Sequence, residues 1–140
     1  MTNRRLYQLD HCTYDCKYHI VWTPKWRGKV LTDKYIKEEL RRIFLTIAKW
    51  KGFIIYGLHV GDDHIHLILT IPPKYSIAYA IQIIKGKSSA WIKKKVKKFP
   101  QGTLWERGYF VATIGLDEHM VRTYVANQHI HHRDIQTLGI

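Results

Sequence analysis

The sequence predicts an α+β domain in which a four-stranded antiparallel sheet carries two helices on one face, the ferredoxin-like (RRM-like) arrangement. Two observations predict it. Strand-like and helical hydrophobic periods alternate along the chain in the order βαββαβ, and short connections with right-handed crossovers favour an antiparallel sheet for that order. An additional helix follows at the C-terminal end. The 140 residues suit a single domain over positions 1–140.

The first half of the chain contains one strand and one long helix. Residues 15–23, DCKYHIVWT, have strand character and end at Pro24, after which PKWRGKVL forms a basic loop. A helix begins at Thr32 or Asp33 and ends at Gly52. Its apolar side chains recur at helical spacing, at Ile36, Leu40, Ile43, Phe44 and Ile47.

The second half predicts a hairpin, a helix, a strand and a last helix. FIIYGLHV and HIHLILT are strand-like runs joined by GDD, a good hairpin connection. Ser76 is a suitable cap for the second helix, and GYFVATIG is the fourth strand. Asp117 is a suitable cap for the last helix. The apolar face of the second helix is formed by Ile77, Ala80, Ile81 and Ile84.

The charge distribution favours a polyanionic partner. Lys and Arg number 23 against 11 Asp and Glu, for a net charge of +12. No acidic residue occurs between His64 and Trp105, and IIKGKSSAWIKKKVKKFP carries seven lysines. Nucleic acid is the expected partner, and a basic protein kept soluble by its charge is the alternative. No apolar run approaches the roughly 20 residues that span a bilayer, and MTNRRLYQLDHC lacks a secretory core, so we expect a cytoplasmic protein and no membrane partner.

Two cysteines near the N-terminus do not predict a zinc site. In an extended strand, Cys12 and Cys16 would lie roughly 13 Å apart at about 3.3 Å per residue, too far to chelate one ion. We therefore expect reduced cysteines in the core, as in most cytosolic chains.

A His-x-His pair in DHIHLIL is the best candidate for a metal site. On a strand, His64 and His66 lie about 6.6 Å apart and point to one face, while the aliphatic residues between and after them point to the other. Such a pair alone is weak evidence, because it is often structural or solvated. A second pair, His129 and His131, lies at the end of a predicted helix, where two residues point about 200° apart.

The last helix offers two further groups for chemistry. Tyr124 and Gln128 are one turn apart on the same face. Gln128 can contribute its amide oxygen to a metal shell, and Tyr124 can present a phenol to a phosphate held there. A tyrosine ester of DNA conserves the energy of the broken phosphodiester, which suits cutting followed by rejoining. Most tyrosines at such spacings are ordinary core or surface aromatics.

The chain resembles the single-tyrosine HUH transposases, the TnpA transposases of the insertion sequences numbered 200 and 605. The segments that carry the resemblance are CKYHIVWTPKWRGKVL, DHIHLIL, IKGKSSAWI, LWERGYFVATIG and YVANQ. The resemblance implies that Tyr124 is the nucleophile and that His64, His66 and Gln128 bind Mg or Mn. It further implies a homodimer, with active sites shared between subunits, that nicks single-stranded DNA at hairpin-marked element ends through a 5′-phosphotyrosine and a free 3′-hydroxyl.

We expect a prokaryotic, nucleoid-associated protein whose DNA-binding surface is the lysine-rich segment. Two other functions are compatible with the sequence: a non-catalytic module that stacks single-stranded bases on aromatics, and a domesticated relative that processes chromosomal palindromes. The residues expected to contact DNA are Lys85, Lys87, Ser88, Ser89, Lys93, Lys94 and Lys95.

Overall fold

A computed structural model describes residues 7–9, 12–25, 30–97, 99 and 102–114. Over these residues it contains six strands and two helices in the order βββαββαβ. The elements are β1 (Tyr7–Leu9), β2 (Cys12–Tyr14), β3 (Lys17–Trp22), α1 (Lys34–Lys51), β4 (Ile54–Val60), β5 (Ile65–Thr70), α2 (Ile77–Lys95) and β6 (Phe110–Thr113).

The main sheet has four antiparallel strands in the order β4-β5-β3-β6. β5 pairs with both β3 and β4, and β3 pairs with β6. This is the predicted ferredoxin-like sheet, with the βαββαβ order running from β3 to β6. The predicted C-terminal helix with Tyr124 lies outside the described residues.

Local sequence signals set both ends of α1 and the start of α2. Asp33 caps α1 by accepting a hydrogen bond from the Tyr35 amide, and Gly52 ends it with φ of 79°, a left-handed conformation that glycine adopts without strain. Ser76 caps α2 by accepting from the Tyr79 amide. The predicted starts of both helices and the end of α1 are therefore confirmed.

The helices cover one face of the sheet and form the core with it. Ile20, Leu67 and Leu69 point to this face and are almost completely buried. Trp105 lies in the same core, with its ring perpendicular to Trp22 at 5.8 Å between centroids and tilted against Phe44 at 6.4 Å. Burial of a large apolar side chain contributes about 1.5–3 kcal/mol to folding, so these contacts fix which face of β5 points inward.

The N-terminal part differs from the prediction. The strand expected over 15–23 is shorter, because the extended structure breaks at Asp15 and Cys16, and the preceding β1 and β2 form a separate antiparallel hairpin. Both cysteines are free. The expectation that both lie in the core is wrong, since Cys12 is exposed and Cys16 only partly buried.

The β1–β2 hairpin packs at one end of the sheet face that the helices leave open. Lys17 is buried there, between the rings of Tyr7 and Tyr56, with its ammonium 5.7 Å and 5.5 Å from their centroids. The Asp15 carboxylate accepts a hydrogen bond from this ammonium and offsets its charge. The other end of the same face carries the histidines.

Candidate functional site

His64 and His66 lie close together on the open face of the sheet. The residues that alternate with them on β5, such as Ile65 and Leu67, point into the helix-covered core. His64 immediately precedes β5 instead of belonging to it, and His66 is within the strand. Their ring centroids are 4.6 Å apart and their planes nearly perpendicular at 89°. The predicted pairing of these two imidazoles on one face is therefore present in the structure.

The hairpin loop between β4 and β5 holds the His64 side chain. The Gly61 amide donates to the His64 carbonyl at 2.8 Å. The His64 Nδ1 lies 2.7 Å from the Asp63 carboxylate. When this nitrogen carries the proton, the carboxylate accepts its hydrogen bond, and the lone pair of the neutral ring lies on Nε2. Carboxylates commonly orient metal-binding histidines in this way.

Gly61 leaves room for the His64 ring. A Cβ atom at this position would lie 3.0 Å from His64 Cε1 and 3.1 Å from Nε2. It would also lie 3.1 Å from the His64 carbonyl oxygen. This oxygen is a backbone atom, so it cannot rotate away as a side chain can. The loop sequence GDD thus serves the site through a small residue at its first position and a carboxylate at its third.

Two further histidines surround the pair. His59 on β4 lies directly opposite His66, and its ring is 5.9 Å from both His64 and His66. His19 on β3 stacks on His66 at 5.7 Å with an interplanar angle of 13°. Burial lowers the pKa of His19 to about 4, because the charged imidazolium is poorly solvated there.

The sequence reasoning missed both of these histidines. His59 could have been found by counting outward from the GDD turn, because Val60 pairs with Ile65 and the next pair is His59 with His66. His19 could not have been placed in this way, since its position depends on the pairing of β3 with β5, which are far apart in sequence.

The described part of the site offers a divalent ion two imidazoles from one short segment. Within residues 7–114, as far as the structure describes them, no three histidine, cysteine, aspartate or glutamate side chains are arranged to hold a metal ion. The two imidazoles could form part of a metal site, and oxygen ligands from elsewhere would have to complete it. The expected third ligand, Gln128, and the expected nucleophile, Tyr124, lie outside the described residues, as do His129 and His131.

The lysines predicted to bind DNA have different surroundings. The Lys85 ammonium donates to the carbonyls of Glu106 and Gly108, at 2.8 Å and 2.9 Å, and burial lowers its pKa. Lys95 lies 3.3 Å from the Glu39 carboxylate. Lys87 and Lys94 are exposed and Lys93 is partly buried, so the residues best placed to meet a phosphate are Lys87 and Lys94.

Ser88 and Ser89 are buried and hold the segment before β6 against α2. The Ser88 hydroxyl accepts from the Trp105 indole at 2.8 Å, and the Ser89 hydroxyl accepts from the Leu104 amide at 2.8 Å. A buried polar group that is hydrogen-bonded in this way stabilises the fold. Contact of these two hydroxyls with DNA stays a prediction, and in the structure Ser88 anchors Trp105 while Ser89 anchors Leu104.

Comparison with known proteins identifies the chain as a DNA-processing enzyme of a particular family. The model of the family described as "Transposase IS200 like" matches residues 12–128. The chain belongs to this family, as the resemblance predicted. The matched region includes all four histidines of the cluster.

Two transposases illustrate the relationship. The transposase for insertion sequence element IS200 of Salmonella typhimurium strain LT2 is 32% identical over 124 residues, covering 86% of this chain and 81% of the relative. The ISDra2 transposase TnpA of Deinococcus radiodurans is 27% identical over 124 residues, covering 83% of this chain and 86% of the relative.

Solved structures are similar in fold. A crystal structure of a candidate transposase from Deinococcus radiodurans R1 superposes with a TM-score of 0.67 at 30% identity, covering 91% of this chain and 98% of the other. A REP-associated tyrosine transposase bound to a REP hairpin superposes with a TM-score of 0.62 at 17% identity, covering 94% and 74%. At 17% identity, the similarity to the REP-associated transposase is evidence for the fold only. Among the described residues, no helix is long and apolar enough to cross a membrane.

Proposed function

We propose that this chain is a divalent-metal-dependent transposase that cuts and rejoins single-stranded DNA through a covalent bond to Tyr124. The observation that carries the proposal is the pair of imidazoles on the open sheet face, 4.6 Å apart, with the Asp63 carboxylate on Nδ1 of His64. The family membership supports it, because the matched region extends to residue 128 and includes the tyrosine.

His64, His66 and the amide oxygen of Gln128 would hold Mg or Mn. The bound cation supplies positive charge that favours the phenolate, polarises the phosphate and stabilises the charge that develops on its oxygens. Asp63 keeps the His64 ring oriented, and the buried His19 remains neutral beside His66 near pH 7 because its pKa is about 4. A neutral neighbour adds no positive charge that would repel the ion.

Tyr124 would act as the nucleophile. Its oxygen gives up a proton and forms a bond to the phosphorus, while the bond from the phosphorus to the 3′ oxygen breaks and that oxygen takes up a proton as a free hydroxyl. The product is a 5′-phosphotyrosine. Rejoining is the reverse step with a different 3′-hydroxyl, and it needs no nucleotide cofactor because the ester conserves the bond energy.

DNA hairpins at the element ends are the proposed substrate, and a homodimer with shared sites is the proposed assembly. The net charge of +12 and the exposed Lys87 and Lys94 supply a surface for phosphates. The REP-associated neighbour of the same fold is bound to a REP hairpin, which supports this class of ligand.

Tyr124→Phe tests the nucleophile. This variant removes only the phenolic oxygen, so we expect no covalent protein–DNA adduct on denaturing gels and no strand cleavage, with hairpin binding retained. Tyr109→Phe is the matched control, because Tyr109 is 41% exposed and lies outside the histidine cluster. If Tyr124→Phe forms the adduct at the wild-type rate, another residue is the nucleophile. If neither wild type nor control forms any adduct, the chain is a non-catalytic DNA-binding module.

Complementation tests the shared site. His66→Ala and Tyr124→Phe proteins are each expected to be inactive as homodimers, since each lacks an essential group. In a heterodimer with shared sites, one site combines intact histidines from one subunit with the intact tyrosine of the other, and adduct formation partly returns. A mixture that contains heterodimers but forms no adduct would contradict sharing, and the roles of the individual residues would be unaffected.

A further inference from the structure

An aromatic and lysine-rich surface lies where α1 ends and α2 begins. Trp50 is 57% exposed and Tyr79 is 37% exposed. Tyr75 connects them to the core, because its ring stacks on Tyr79 at 5.2 Å and meets the buried Phe53 ring edge-on at 5.9 Å. We call this the Trp50 surface, formed by Trp50, Lys51, Tyr75, Tyr79 and Lys87.

Two ammonium groups lie against these rings. Lys51 Nζ is 4.2 Å from the Trp50 centroid and donates to the Tyr79 hydroxyl at 3.0 Å. Lys87 Nζ approaches the Trp50 ring from α2, at 6.0 Å. The surface thus combines flat apolar rings with fixed positive charge. A contiguous patch of exposed aromatic side chains can form a ligand-binding site, whereas single scattered ones need no explanation.

The Trp50 surface is separate from the histidine cluster. α1 and α2 cover the face of the sheet opposite the face to which His66 points. Trp50 also lies near the start of β4 at Ile54, whereas His59 is five residues further along that strand, about 17 Å away at 3.3 Å per residue. A ligand on this surface would therefore not occupy the metal-binding site.

We propose that the Trp50 surface binds unpaired nucleotides of single-stranded DNA. Every base presents a flat ring that can stack on Trp50 or Tyr79 whatever its sequence, and the phosphates between bases can meet Lys51 and Lys87. No acidic residue occurs between His64 and Trp105, so α2 adds no negative charge that would repel a phosphate. This inference goes beyond the proposed strand cleavage, because it involves neither the metal nor the nucleophile.

The test is the affinity for a short fluorescein-labelled oligothymidylate, measured by fluorescence anisotropy in EDTA with Tyr124→Phe protein, so that no cleavage can occur. Trp50→Ala and Tyr79→Ala should each weaken binding roughly 5-fold or more, since one stacking partner is lost. Trp50→Phe should retain most of the affinity because it keeps an aromatic ring.

Tyr35→Ala is the matched control. Tyr35 is 53% exposed at the other end of α1, about 22 Å from Trp50 at 1.5 Å per residue. Its replacement should change the affinity less than about 2-fold, because a residue at this distance shares no contacts with the Trp50 surface. Equal binding by wild type and Trp50→Ala would overturn the proposal, as would equal losses in Trp50→Ala and Tyr35→Ala.

A second copy of the chain is the competing occupant of this surface, and sedimentation of the same variants distinguishes it. We expect Trp50→Ala to sediment like wild type. If the variant shifts to a smaller species and binds oligothymidylate normally at matched concentrations of that species, the Trp50 surface is a subunit interface and the proposal is wrong. Loss of adduct formation in other variants has no bearing on this result, because the assay contains neither metal nor Tyr124.

Discussion

The two faces of the main sheet are similarly buried but chemically opposite. On the helix-covered face, Leu67 and Leu69 pack among other apolar side chains at 0–1% exposure. On the open face, His19, His66 and Thr70 are 3% exposed or less. The open face therefore carries titratable imidazoles where the helix-covered face carries apolar side chains. Mutations on the two faces should have separable effects on metal chemistry and on stability.

Leu67→Ala should have the largest effect on stability. It removes a core side chain that is 1% exposed and leaves a cavity, so the free energy of unfolding should fall by about 2–5 kcal/mol. Urea titration followed by circular dichroism measures the loss. The neighbouring His66→Ala is the comparison, and it should abolish metal-dependent cleavage while keeping the fold. A loss in Leu67→Ala below about 1 kcal/mol would contradict the assignment of the two faces.

Acid should destabilise the protein through His19, which lies on the open face. The pKa of His19 is about 4 in the folded protein and about 6.5 in the unfolded chain. Below pH 6.5 the unfolded chain binds a proton that the folded protein does not accept until about pH 4. Stability should therefore fall between these two pH values, by up to about 3 kcal/mol, and then level off.

The measurement for His19 is urea unfolding in EDTA at several pH values. His19→Gln cannot titrate, so its stability should depend less on pH in this window. Identical pH profiles for wild type and variant would show that His19 does not carry the effect. No comparable change is expected from the helix-covered face, because Leu67 and Leu69 have no titratable groups.

Gly61→Ala should weaken metal binding about 10-fold, because its Cβ would contact the His64 ring and carbonyl at 3.0–3.1 Å and displace the imidazole. Isothermal titration with Mn²⁺ measures the affinity directly and requires no DNA. Gly86→Ala is the matched control, since nothing lies within 4 Å of its Cβ position. The control should bind Mn²⁺ normally and unfold at higher urea, and equal affinity in both variants would exclude a positioning role for Gly61.

Thr70→Val should have the smallest effect. The Thr70 hydroxyl is buried on the open face without a hydrogen-bond partner among the described residues. Replacing it by a methyl group should be neutral or stabilise the protein by up to about 1 kcal/mol. Mn²⁺ affinity should not change. Destabilisation by more than about 1 kcal/mol would show that the Thr70 hydroxyl makes a hydrogen bond in solution. The polar side chains of the open face would then contribute to stability as well as to function.

The elements that could be predicted from sequence are those with local signals. Asp33, Gly52 and Ser76 mark helix ends by their own chemistry, and GDD marks the hairpin that presents His64. These signals act over a few residues, so periodicity and capping were sufficient to find them. The His64–His66 pair followed from the two-residue repeat of a strand.

The features that could not be predicted depend on contacts between distant parts of the chain. The place of His19 beside His66 requires the pairing of β3 with β5, and the role of Ser88 requires Trp105 to fold back onto α2. The β1–β2 hairpin was missed because three-residue strands have no clear periodicity. The positions of Tyr124 and Gln128 relative to the histidines stay predictions.

The irregularity in β4 has a consequence for the behaviour of the protein in concentrated solution. β4 and β6 are the outer strands of the sheet in the described part of the chain, and the pairing of β4 shifts by one residue between Ile55 and Gly57, at Tyr56. A long, flat outer strand invites another chain to pair with it, and a bulge twists that edge away. We therefore expect the extra residue at Tyr56 to disfavour pairing of another chain with this edge, and the four-residue length of β6 to limit pairing at the opposite edge.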